Sequence, residues 1–141
     1  MKPRTLMMAI GHTHREWCNY MRRIAMEVGI PESYHRIIMF LSRNPGANQT
    51  QLAEFCQKTT AAISQTVREM QLTGYLRKET DESDQRFFRL YLTEKGQECE
   101  DRIREKIFSA DRMITSAITP EKEAELIELL EQLCNAIPKE F

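Results

Sequence analysis

Asp84 and Arg86 stand two residues apart in the polar run Asp81-Glu-Ser-Asp-Gln-Arg86, and Arg89 follows three positions later. A guanidinium lifted on a hairpin tip can enter a narrow DNA minor groove, where negative potential is concentrated. The carboxylate of Asp84 can hold that guanidinium by a charge-assisted hydrogen bond, so that less side-chain entropy is lost on binding. The plain alternative is an exposed ion pair of small net worth. Upstream, Thr60, Ala61, Ser64, Gln65 and Arg68 are small or polar and fall opposite the apolar positions Ile63, Val67 and Met70. A helix entering the major groove needs such an outward face, because bulky apolar groups would keep it from the base edges. Gln65 suits bidentate bonding to adenine, and Arg68, two turns from the helix start, suits a phosphate. A merely solvated face is the competing reading.

These side chains require particular elements to hold them. Asn48 offers a helix cap with Gln51 three residues on, and a short helix follows through Leu52, Ala53 and Phe55. Gln57-Lys58-Thr59 breaks it, and Thr59 can cap the next helix, which Gly74 ends. Two short helices joined by a tight turn form a helix-turn-helix. Tyr75 to Thr80 reads as a strand and Asp81 to Gln85 as a turn, with Phe88, Leu90 and Leu92 alternating on a return strand. That hairpin is a wing.

Longer helices flank this module. Leu6, Ile10, His14, Trp17, Met21, Ile24 and Val28 step by fours and threes along one stripe, which Gly29 and Pro31 close. Tyr34, Ile37, Ile38 and Leu41 mark a second helix that stops before Asn44-Pro45-Gly46. After the wing, Thr93 caps a helix striped by Cys99, Ile103, Ile107, Ala110, Ile114 and Ala117. Its length to Ala117, roughly 36 Å at about 1.5 Å per residue, exceeds what so small a domain can cover, so a partner is expected. Thr119-Pro120 starts a last helix carrying Leu126, Leu129, Leu130, Leu133 and Ile137.

The 141 residues, 41% of them apolar, fit a single domain with a real core. The net charge of -1 hides an asymmetry, for residues 96–141 carry six basic and eleven acidic side chains while residues 1–30 carry five and two. Nucleic acid is therefore not excluded, but its contacts must be local. No apolar run reaches a membrane span, and the start Met1-Lys-Pro-Arg lacks a leader's cleavage pattern, so a cytoplasmic chain is expected. Cys18, Cys56, Cys99 and Cys134 show no paired spacing and are expected as thiols. Glycine-rich phosphate loops, HExxH and nucleophile–base pairs are absent, which argues against an enzyme.

The span from about Ser33 to Gly96 resembles the winged helix-turn-helix of the MarR family, the multiple antibiotic resistance regulators. The resemblance rests on Asp81-x-x-Asp84-x-Arg86 running into Leu92-Thr-Glu-Lys-Gly96, on Asn44-Pro-Gly-x-x-Gln49, and on Gly74-Tyr-Leu76. It implies a mainly α fold with a small β-hairpin wing, a winged domain at about 33–96 flanked by dimerisation helices at about 1–30 and 97–138. It further implies a homodimer whose first, fifth and sixth helices interlock, whose recognition helices enter successive major grooves and whose wings reach the minor groove. Members often carry Thr-Arg where this chain has Ser64-Gln65, so a different operator is expected. A repressor on a palindromic site is the expected role, with a protein-assembly module lacking DNA binding as the rival.

A small molecule often binds in such proteins between the dimer helices and the DNA-binding lobe. The candidate lining here is His14, Trp17, Cys18 and Met21 on the first helix with Tyr34, His35 and Ile38 on the second, although such stripe residues also serve as core or dimer interface. His12, His14 and Cys18 lack a clear third and fourth metal ligand, even with His35 nearby, and no metal or other cofactor is expected. A redox role for Cys18 lacks an adjacent resolving cysteine.

Overall fold

A computed structural model describes residues 5–139. Residues 1–4 lie outside it, and with them the first positions of the segment placed at about 1–30 and of the start examined for a leader. Eight elements follow in order: α1 (Leu6–Val28), α2 (Glu32–Arg43), α3 (Gln49–Cys56), α4 (Thr60–Leu72), β1 (Leu76–Thr80), β2 (Phe88–Leu92), α5 (Glu94–Thr115) and α6 (Pro120–Ala136). The chain divides into two compact units, the first ending at Glu105 and the second starting at Lys106, within α5.

In the first unit the helix ends sit where side-chain chemistry puts them. The Asn48 side chain accepts from the Gln51 N–H while the Gln51 side chain accepts from the Asn48 N–H, so the expected capping box starts α3. The break after α3 is made by Gln57 in the left-handed region at φ 53°, a conformation that the sequence does not advertise with glycine. Thr59 then caps α4 through the Ala62 N–H. At the end of α1, Gly29 adopts φ 81° and returns its N–H to the Ala25 and Met26 carbonyls.

Packing follows the apolar periodicity. Ile37, Ile38 and Leu41 of α2, Leu52 of α3, and Ile63, Val67 and Met70 of α4 are buried together with Leu76 and Leu90 of the hairpin. Each such side chain removed from water contributes about 1.5–3 kcal/mol, so this cluster holds the helix-turn-helix against the wing. The stripe of α1 is less fully used. Ile24, Ala25 and Val28 are buried near its end, whereas Leu6 is 57% exposed and His14 faces solvent.

The hairpin pairs Leu76 with Leu92, Lys78 with Leu90 and Thr80 with Phe88 in antiparallel register, and Ala47 adds a bridge to Leu90. Leu90 is fully buried, as its place in the alternation requires. Phe88 is not, because it forms the last pair before the turn, where its ring lies under the Lys78 ammonium at 5.5 Å. Thr93 closes the wing and opens α5, accepting from the Gly96 N–H and donating to the Gly74 carbonyl.

The second unit holds the distal part of α5 and α6. The α5 helix stops at Thr115, two residues before the expected Ala117, in a turn that leads to the Thr119 cap of α6. No residue of α6 is buried, and Leu126, Ile127, Leu129 and Ile137 stand exposed.

Candidate nucleic-acid interface

On α4 the buried positions Ile63, Val67 and Met70 fix which residues face outward. Thr60, Ala61, Gln65 and Arg68 are exposed and Ser64 is half-buried. The outward face is therefore short and polar near the helix start, as a base-reading helix requires. Three exposed residues of α4, Ala62, Glu69 and Leu72, lie beyond those expected from sequence. Leu72 is 82% exposed, and Glu69 accepts a hydrogen bond from the Gln65 amide at 3.4 Å. The signal for Glu69 was available, since glutamate four residues after glutamine on a helix brings the two together. The end of α4 is satisfied from α5, where the Lys95 ammonium donates to the Thr73 carbonyl at 2.7 Å and lies 4.3 Å from the Tyr75 ring centre.

In the wing, the Arg86 guanidinium meets both carboxylate oxygens of Asp84, at 3.0 Å from Nε and 2.8 Å from Nη2, and its backbone N–H donates to the same carboxylate. This fork holds the Asp84 carboxyl below, and the Arg86 guanidinium above, their usual ranges. The Arg86 side chain is nevertheless 85% exposed. A cation so held and so open is oriented rather than neutralised.

Arg89 is arranged differently. Its Nε pairs with Asp81 at 2.9 Å and its Nη1 donates to the Gly46 carbonyl at 3.3 Å, which ties β2 to the turn between α2 and α3. Asp81 is itself braced by the hydroxyl and backbone N–H of Ser83, which, with Arg89, keep its carboxyl below the usual range. These groups line an open cleft of about 390 Å³ between the wing and the start of α3, with Gly46, Asn48, Gln51, Asp84 and Phe87. The sequence placed Arg89 on a strand face without revealing this partner.

The seven residues considered for a small molecule are divided by the fold. Ile38 is fully buried, and Tyr34 is buried edge-on against Tyr75 at 5.5 Å between ring centres, so both are committed to the core. His35 is half-buried with its Nε2 unpartnered, and burial lowers its pKa. On α1, the Cys18 sulfur lies 3.5 Å from His14 Nε2, while Trp17 and Met21 are half-buried. Cys56 and Cys99 are buried thiols whose pKa values burial raises. Among the described residues, no three His, Cys, Asp or Glu side chains gather as metal ligands, and no helix is long and apolar enough to cross a membrane.

Residues 28–86 match the model of the MarR family. A protein of Thauera aromatica, provisionally named as the transcriptional regulatory protein for the hcr operon, is 23% identical over 114 residues, covering 81% of this chain and 69% of its own length. Among solved structures, a MarR transcriptional regulator from Methanosarcina mazei Go1 superposes with a TM-score of 0.76 at 23% identity, covering 91% of this chain and 92% of the other. The transcriptional repressor CouR, solved on a 23-mer DNA duplex, superposes with a TM-score of 0.78 at 18% identity, covering 92% of each chain. At these identities the structural likenesses establish the winged-helix fold.

Proposed function

We propose that this chain is a MarR-family transcriptional regulator, a cytoplasmic repressor which binds a palindromic operator as a homodimer and responds to a small molecule; the family-model match over residues 28–86 and the likeness to a regulatory protein of Thauera aromatica support this reading. The observation that carries the reading is the Arg86 guanidinium, held by Asp84 yet open to solvent at the wing. In this reading α4 enters the major groove, with Thr60, Ala61, Ser64 and Gln65 near base edges and Arg68 on a phosphate. Arg86 enters the minor groove beside it. Asp84 aims Arg86, and Arg89 sets the wing on the helix-turn-helix instead of reaching the groove itself.

Effector binding falls to the exposed His14 and the half-buried Trp17, Cys18, Met21 and His35, together with the buried Tyr34 and Ile38. The unpartnered Nε2 of His35 supports this assignment, since a buried polar atom without a partner is costly unless a ligand or water supplies one.

Salt separates DNA binding from a protein-assembly role. The affinity of the purified chain for its own upstream duplex, followed by fluorescence anisotropy, is expected to fall linearly on a log–log plot against salt. Arg68→Ala should weaken all sequences nearly equally and flatten the slope by about one. Binding indifferent to salt would reject the reading.

A further inference from the structure

The Gln65 amide on α4 is constrained in which way it faces. Its Nε2 donates to Glu69 Oε1 at 3.4 Å, one helical turn further on, and both side chains are exposed. An ionised carboxylate only accepts hydrogen bonds. Glu69 therefore takes the nitrogen end of the amide, and reversing the amide would set two oxygens against each other.

The inventory that remains is specific. One N–H of Gln65 is engaged by Glu69, leaving one N–H and the carbonyl oxygen free. In the major groove adenine offers an N6 donor beside an N7 acceptor, which this pair complements. Guanine offers two adjacent acceptors, O6 and N7, so the amide oxygen would oppose O6. Cytosine offers a donor without the neighbouring acceptor, and thymine an acceptor beside a methyl group. An unconstrained glutamine could turn its amide toward either purine.

We infer that Glu69 is a positioning residue that fixes the Gln65 amide to read adenine in preference to guanine at one base of each half-site. The inference rests on the assignment of α4 to the major groove. It also accounts for a carboxylate on a helix face that would approach phosphates, where a negative charge lowers overall affinity. Glu69 exchanges some affinity for selectivity.

The test is base preference at each position, measured by competition among duplex variants with the full chain, for wild type, Glu69→Ala, Gln65→Ala and the double variant. Wild type should prefer adenine over guanine about 5- to 150-fold at the position that Gln65 reads, the range of a bidentate base contact. Glu69→Ala should lower that ratio several-fold by admitting guanine, with other positions unchanged and total binding equal or tighter. Gln65→Ala should abolish the preference, and adding Glu69→Ala to it should change nothing more there. An unchanged adenine-to-guanine ratio in Glu69→Ala, uniform weakening at every position, or guanine at the Gln65-dependent base would each overturn the inference. If wild type shows base preferences that neither variant moves, this inference alone fails. If wild type binds no duplex, the function proposed above fails with it.

Discussion

Arg86 and Arg89 carry the same charge three residues apart, and the wing uses them in opposite directions. Arg86 points its cation to solvent on the Asp84 carboxylate, whereas Arg89 turns inward to Asp81 and the Gly46 carbonyl. The first relation was legible in sequence, because residues two apart in a turn are forced to be neighbours. The contact of Arg89 with the Gly46 carbonyl joins residues 43 positions apart, and no local pattern encodes it. The two arrangements predict different mutants. Arg86→Ala should lose preference for A·T-rich flanks along with affinity. Asp81→Asn should also weaken operator binding, although it removes a negative charge, because it loosens the strap that sets the wing. Titration of both variants on operators with altered flanks checks this, and tighter binding by Asp81→Asn would show that Asp81 only repels phosphate.

At the scale of elements, the ends of helices were the most readable features. Asn48, Thr59 and Thr119 each cap where their side chains can reach an early N–H, a local interaction visible in sequence spacing. Gln57 was less readable as a left-handed residue, because the turn imposes that conformation on a side chain that does not favour it. Gly96 marks a further limit. It was recognisable as part of a motif, but its physical role is steric, since a Cβ there would lie 2.1 Å from the Tyr75 carbonyl oxygen. The close seat of α5 on the start of the wing depends on that missing atom. Gly96→Ala should therefore cost about 1–3 kcal/mol or more in denaturant unfolding. Gly11→Ala, in a helix with nothing within 4 Å, should instead gain up to about 1 kcal/mol. Equal effects of the two substitutions would contradict a steric role for Gly96.

For the molecule as a whole, the apolar residues that the chain leaves in water carry most of the information. Phe108, Met113 and Ile114 of α5 and Leu126, Ile127 and Leu129 of α6 are exposed, as are Leu6 and Met7 of α1. Leu6, Ile114, Leu126 and Leu129 stand on stripes legible in sequence whereas Met7, Phe108, Met113 and Ile127 do not, and periodicity does not distinguish a surface covered by the same chain from one covered by another. A second copy is the occupant consistent with the proposed function, and two-fold symmetry would then impose itself on the DNA site. Selection of bound duplexes from a random pool by the purified full chain tests this most directly. The enriched sites should be inverted repeats with half-site centres about one helical turn, roughly 10 base pairs, apart. A pool that enriches no sequence, or only a single half-site without its inverted mate, would contradict the account.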